Sequence, residues 1–238
     1  MKGTQYTLRV ANDSRNIFDM CVFQEDPNLG VSDVKSLAWF VKTAAPTTVV
    51  TFRWTLDYSF IWSETGRLIP GVYFDASQVW PADPNNNEPS SHKYAGNQIH
   101  FTREQNAYTF ESKEYQGATS GTLYIQQSDS IPHDAASVGI GMSGSGTFGV
   151  QAQPSLNLSF TPHPKYYLSA GSFNEGEVLD IGVVTDKVQI DFPSNIYSMN
   201  ATLNEDNKWD VEPAMHVRAP ADKRAIIKRR TALLLNRG

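Results

Sequence analysis

TFRWTLDYSFIW, residues 51–62, places a large apolar side chain at every second position: Phe52, Trp54, Leu56, Tyr58, Phe60 and Trp62. Arg53, Thr55, Asp57 and Ser59 lie between them. Successive side chains of an extended chain point to opposite faces, so this period of two builds one apolar face and one polar face. At the helical period of 3.6 the same residues would be scattered around the axis. The stretch therefore reads as a strand, with Phe52, Trp54, Tyr58, Phe60 and Trp62 turned toward a core. Trp54, Tyr58 and Trp62 would also suit a platform for stacking sugar rings, but alternation with polar residues is what a half-buried core strand requires.

Shorter runs of the same period recur at Tyr6-Leu8-Val10, Phe18-Met20-Val22, Leu156-Leu158-Phe160, Val188-Ile190-Phe192 and Tyr197-Met199-Ala201-Leu203. Turn-forming clusters separate such runs: NDSRN at 12–16, REQNA between Phe101 and Tyr108, and NEDN at 204–207. Short strands with turns at these intervals predict an all-β fold, an antiparallel β-sandwich or jelly-roll, as one domain over residues 1–212. Helix signals are nearly absent from this body, although Ser32 before DVKSLAW has the form of a cap on a short helical turn. Residues 81–97, PADPNNNEPSSHKYAGN, are rich in Pro and Asn without an apolar period and read as a surface loop.

GIGMSGSGTFG, residues 139–149, contains the G-x-G-x-x-G spacing of dinucleotide-binding loops at Gly139, Gly141 and Gly144. That chemistry needs a helix after the glycines and an acidic residue about 20 positions on. Ser, Thr and Gly follow instead, with Pro154 soon after, and no Asp or Glu occurs from Ser143 to Asn174. Val138, Ile140, Met142, Phe148, Val150 and Ala152 share one strand parity. The glycines thus belong to a bent or bulged pair of strands, with Gly144 and Gly146 serving a tight turn or a close approach.

Composition is that of a globular protein, 40% hydrophobic and 11% aromatic, which argues against disorder. No apolar run approaches the ~20 residues of a membrane span. MKGTQYTLRV passes directly into a strand pattern without the apolar centre of a secretory signal, so the expected location is the cytoplasm. Cys21 is the sole cysteine, which rules out an internal disulfide and a multi-cysteine zinc cluster. His92, His100, His133, His163 and His216 show no metal-ligand spacing, and there is no G-x-S-x-G elbow. Carboxylates two apart, Glu175 with Glu177, are what a solvated face supplies. No catalytic, cofactor-binding or metal-binding residue is assigned, and the chain is not expected to be an enzyme. A hydrolase site assembled from distant loops and a carbohydrate-binding module are the alternatives. For the latter, the candidate ligand contacts are Trp80, just before the Asn/Pro loop, and Tyr94 within it.

Charge is unevenly spread. The chain has 20 Lys/Arg and 25 Asp/Glu, net −5, yet residues 216–238 hold seven Lys/Arg against Asp222 alone, giving +6 there and −11 elsewhere. Within the tail, 213–238, PADKRAIIKRRTALLLNRG carries an N-cap signal at Asp222 and ends in Asn236 to Gly238, which predicts a short basic amphipathic helix. Ile226, Ile227, Leu233 and Leu234 make its apolar face, and Lys223, Arg224, Lys228, Arg229 and Arg230 lie largely elsewhere. An acidic body is repelled by phosphate at long range and attracts such a tail, its own or a neighbour's. The expected partner is another copy of the chain, giving a homo-oligomer. Nucleic acid is not expected, while peripheral contact of the tail with an anionic membrane remains open.

Several stretches, CVFQEDPN, SLAWF, FRWTLDYSFIWSETG, PGVYFDASQVWPAD, ASVGIGMSGSGTFGVQAQPSLNLSFTPHP and IYSMNATLNEDNKW, resemble the bacterial rhizosphere-expressed protein RhiA family. The resemblance covers most of residues 5–212 and stops before the basic tail. It implies a soluble bacterial protein linked to life near plant roots and to cell-density regulation, with no defined activity and no catalytic residue to carry over.

Overall fold

The run Thr51–Trp62 breaks in its middle. A computed structural model describes residues 4–25, 33–184 and 186–214, and in it Thr48–Thr55 and Tyr58–Ser63 are separate strands joined through Leu56 and Asp57. The two join different sheets. Because the joint is two residues long, the parity of the apolar positions survives the crossing and the sequence reads as one strand. Leu56 is the exception among them, 46% exposed at the joint.

In chain order the strands are β1 (Gln5–Asn12), β2 (Phe18–Glu25), β3 (Lys35–Ser36), β4 (Phe40–Ala44), β5 (Thr48–Thr55), β6 (Tyr58–Ser63), β7 (Gln78–Ala82), β8 (Gln98–Glu104) and β9 (Ala107–Glu111). They continue with β10 (Leu123–Gln127), β11 (Ser137–Met142), β12 (Ser145–Gln151), β13 (Asn157–Phe160), β14 (Lys165–Gly171), β15 (Val188–Ile190), β16 (Ser198–Leu203) and β17 (Trp209–Pro213). No helix occurs among the described residues; the expected C-terminal helix lies outside them.

Four sheets have the orders β17-β16-β1-β5, β15-β14-β2-β4, β3-β12-β11-β6-β7 and β13-β10-β8-β9. The first two face each other across a core in which Leu8, Val10, Phe52, Trp54 and Met199 meet Met20, Val22, Tyr166, Leu168 and Ile190. The third and fourth enclose a second core, where Phe60, Trp62, Ile140 and Phe148 meet Ile99, Phe101, Phe110, Ile125 and Phe160. Most pairings are antiparallel, as expected, but β1 with β16 and β8 with β10 run parallel. Short-range turn signals specify hairpins and carry no information on such distant partners. REQNA and NEDN do close hairpins, β8–β9 and β16–β17. NDSRN instead carries the chain from the first sheet to the second, its geometry held by the buried Asn12 amide donating to the Ala44 carbonyl at 2.8 Å.

DVKSLAW is extended, not helical. Lys35 and Ser36 pair with Gly149 and Phe148, and Leu37, Ala38 and Trp39 are all fully buried, which a surface helical turn would not allow. The loop after Ala82 is on the surface but tied down: Asn86 Nδ2 donates to Ala95 O at 2.7 Å, Ser90 Oγ to Gly96 O at 2.8 Å and Asn97 Nδ2 to Thr119 O at 2.9 Å.

The glycine stretch is the β11–β12 hairpin. Ser143 and Gly144, at φ 52° and 82°, form the primed two-residue turn whose twist matches the strands. A bulge at Thr147 follows, the register moving from Ile140↔Phe148 to Gly141↔Gly146. Gly139 pairs with Gly149 and Gly141 with Gly146, so a strip without side chains lies on the outer face of the third sheet. Leu68 and Phe74 pack there; a Cβ on Gly149 would come within 2.9 Å of Leu68. Gly spacing that mimics a phosphate loop is here the bed for an apolar covering segment.

At the joint between β5 and β6, the Ser143 hydroxyl accepts from Thr55 N at 2.8 Å and faces Thr55 O at 3.0 Å and Asp57 Oδ1 at 2.9 Å. Thr55 Oγ1 donates to the same Asp57 oxygen at 2.6 Å, and Trp39 Nε1 donates to Met142 O at 2.9 Å. The hairpin tip of one sandwich thereby clasps the chain where it leaves the other. Ser143→Ala removes this clasp and is expected to lower the free energy of unfolding by about 1–3 kcal/mol, read from urea denaturation, with an unchanged circular dichroism spectrum.

Candidate functional site

On the outer side of the third sheet a covering segment follows β6, and on the outer side of the second another follows β14. Leu68 and Phe74 of the first pack with Leu37, Ile61 and Val178. Leu179 of the second packs with Cys21, Phe23 and Ala38. The two segments meet as a narrow ribbon with residues 36–38: Gly71 N donates to Val178 O at 3.0 Å, Val178 N to Val72 O at 2.8 Å and Ala38 N to Glu177 O at 2.8 Å. Backbone pairing thus joins the two halves on this side as the Ser143 clasp does at the joint.

Each covering segment turns immediately after its buried leucine. Val72 N returns to Ile69 O at 3.1 Å, and Val183 N to Asp180 O at 2.9 Å. The turns push Ile69 and Val183 into solvent, 58% and 69% exposed. Next to them lies a cleft of about 300 Å³ lined by Pro70, Gly71, Phe173, Val178, Leu179, Val183 and Val184 together with Ser169–Ser172, Glu177 and Asp180. Such a volume is at the lower end of ligand-binding clefts. A more polar cavity of about 520 Å³ shares Pro70, Leu179 and Asp180 with it and is bounded by Glu25, Lys35 and Ser36.

The cleft is electronegative. Glu177 and Asp180 are the charged residues of its lining, with no Lys or Arg among the residues that form it. Glu177 Oε2 accepts from Asn174 N at 3.1 Å, and Asp180 Oδ1 from Gly182 N at 3.1 Å, so both carboxylates are held by backbone N–H groups. Burial raises the pKa of the Cys21 thiol beneath, and the nearby charges of Glu177, Asp19 and Glu175 push it the same way. An acidic wall and an apolar floor suit a ligand that is both cationic and aliphatic.

Trp80 lies on β7 with 5% of its surface exposed, its ring 4.3 Å from that of His92 and 5.9 Å from that of Phe110. Its indole is part of the second core. Tyr94 is 74% exposed, and its backbone exchanges hydrogen bonds with Ser91. Lys223, Arg224, Ile226, Ile227, Lys228, Arg229, Arg230, Leu233 and Leu234 lie outside the described residues. On the outer face of the fourth sheet His100 Nδ1 lies 3.1 Å from Glu111 Oε2, and Tyr115 stacks on Tyr124 at 5.4 Å beside them. The aliphatic cleft carries a signal in the sequence that period-two analysis passes over: Leu-x-x-Gly-Val occurs at Leu68–Val72 and again at Leu179–Val183, once per turn.

Fold and cleft together define an all-β protein of two facing sheet pairs with an open, acidic, apolar cleft along their shared back. The chain belongs to the RhiA family, whose pattern matches residues 3–214. It is 36% identical over 226 residues to Protein RhiA of Rhizobium leguminosarum bv. viciae, a match covering 90% of this chain and 88% of that protein. No solved structure matches.

Burial also sets a pH limit. Cys21, Tyr58 and Tyr166 all have raised pKa values through desolvation, Tyr58 to about 12. The unfolded chain ionises these groups first, so their contribution to stability is full at neutral pH and falls as pH rises through the ordinary thiol and phenol values, about 8.5 and 10. Stability measured by urea titration is expected to decline from about pH 9 to 12, and Tyr58→Phe to flatten the part of that decline above pH 10.

Proposed function

We propose that this chain is a non-enzymatic interaction protein that associates with further copies of itself in the cytoplasm through its C-terminal tail, residues 213–238. The observation that carries the reading is the opposition of charge and apolarity within one sequence: +6 with an Ile/Leu face in 216–238 against −11 in the rest. The family pattern ends at residue 214, so the basic tail lies outside the matched residues. Burying Ile226, Ile227, Leu233 and Leu234 contributes several kcal/mol, at roughly 1.5–3 per side chain, before the cost of ordering the tail. Salt weakens only the charged part of such a contact. Deletion of residues 216–238 is expected to shift the protein to a smaller species in size-exclusion chromatography with light scattering; equal masses for the two forms would sink the reading.

A second reading, carbohydrate recognition on the outer face of the fourth sheet, is favoured by the Tyr115–Tyr124 stack beside Gln98, His100 and Glu111, since flat rings and planar polar groups suit a sugar. It predicts binding on a glycan array that is lost in Tyr124→Ala; an array without hits removes it.

A further inference from the structure

We infer that the cleft between the Ile69–Val72 and Asp180–Val183 turns of one copy is the seat for the Ile/Leu face of another copy's C-terminal tail. The inference rests on the tail-mediated association proposed above and assigns it a receptor. Three observations select this cleft. Val183 in its lining and Ile69, next to its lining residue Pro70, leave large aliphatic surface in water, at 69% and 58% exposure, while Leu68 and Leu179 of the same segments are buried. Its charged lining is Glu177 and Asp180, with Glu175 and Asp19 close enough to act on Cys21 beneath it. The tail offers the complement, Ile226 and Ile227 flanked on both sides by the pairs Lys223-Arg224 and Lys228-Arg229. Aliphatic side chains therefore enter the cleft while the basic pairs reach the carboxylates on its walls.

The polar neighbour of about 520 Å³ is a poorer seat, because Lys35 stands in its wall and Lys187 pairs with Glu25 at its edge. Geometry favours a second copy over the chain's own tail. The described chain ends at Ala214, hydrogen-bonded to Ser198 on β16, next to the edge of the first sheet. The cleft lies on the outer face of the second sheet, turned away from the first, so the chain's own tail has to wrap around the sandwich. Residues 215–226 extend up to about 40 Å at ~3.3 Å per residue, enough for a tail to cross to a neighbouring copy without wrapping its own sandwich. Reciprocal docking of two tails closes a two-fold dimer.

The test uses full-length protein and sedimentation equilibrium over a range of concentrations. Val183→Glu places a charge on an exposed rim position, and Ile227→Glu does so on the tail. Both are expected to weaken self-association about ten-fold or more while leaving thermal unfolding and circular dichroism unchanged. Val79→Glu, on the exposed side of β7 and also outside a core, is the control and is expected to change nothing. If Ile227→Glu weakens association and Val183→Glu does not, the tail assembles the protein through another surface and the cleft assignment is overturned. If neither variant changes association, tail-mediated assembly itself is overturned. As a direct check, Val183→Cys combined with Ile227→Cys is expected to give a disulfide-linked dimer under mild oxidation. A crosslinked monomer in its place would overturn docking between copies.

Discussion

The serine hydroxyl at position 143 holds the point on which the architecture turns. Between Thr55 and Tyr58 the chain leaves one pair of sheets and enters the other, and the two residues at the crossing have no ladder of their own. Ser143 meets the backbone of Thr55 and the carboxylate of Asp57, and Thr55 adds its own hydroxyl to that carboxylate. Ser143 reaches this place only because it sits at the tip of a tight hairpin in the left-handed region at φ 52°, followed by Gly144. A polar side chain on a strained turn thus holds the relative placement of two apolar cores, with Met142 of the same hairpin packed into the first of them.

Much of the strand content is legible from side-chain alternation, because burial of one sheet face imposes a period of two that nothing else in a short segment mimics. Phe52 and Trp54, like Phe60 and Trp62, are buried as that logic requires. Alternation is silent on which core a face meets. Phe52 and Trp54 enter one and Phe60 and Trp62 the other, although the pattern runs through unbroken. Parallel partners such as Leu8 and Met199 are separated by nearly the whole chain, and no local signal announces them. DVKSLAW misleads for a related reason: burial on both faces erases the alternation of Leu37, Ala38 and Trp39 and leaves a run that resembles a helix start.

The cleft was hidden in the sequence because it is built by segments without a period. Ile69 and Val183 owe their exposure to turns that follow Leu68 and Leu179, and each leucine is anchored on the back of a different sheet. The glycines at 139, 141, 146 and 149 take part at one remove. Gly146 and Gly149, by lacking side chains beneath Leu68 and Phe74, let the first covering segment sit close to the sheet, while a side chain at Gly139 or Gly141 would strike the neighbouring strand's backbone. The residue pattern that most resembled a nucleotide site is therefore a packing device, and the surface best shaped to receive a partner lies on the segment packed over it.

The parallel pairing of β1 with β16 has a consequence for how the protein is made. The buried residues of the second core all lie between Phe60 and Phe160, with only the short β3 joining its sheet from upstream, whereas the first sheet needs strands from both ends. During synthesis the inner sandwich has all its strands once Phe160 has emerged, while β1 and β5 wait, paired only with each other, until β16 arrives. Loop closure over so many residues is slow, and an unpaired strand edge is open to wrong partners in the interval. On this connectivity the core built from the middle of the chain is complete in sequence before the first sheet is, and the strand that completes the first sheet precedes by only a few residues the segment that carries the tail.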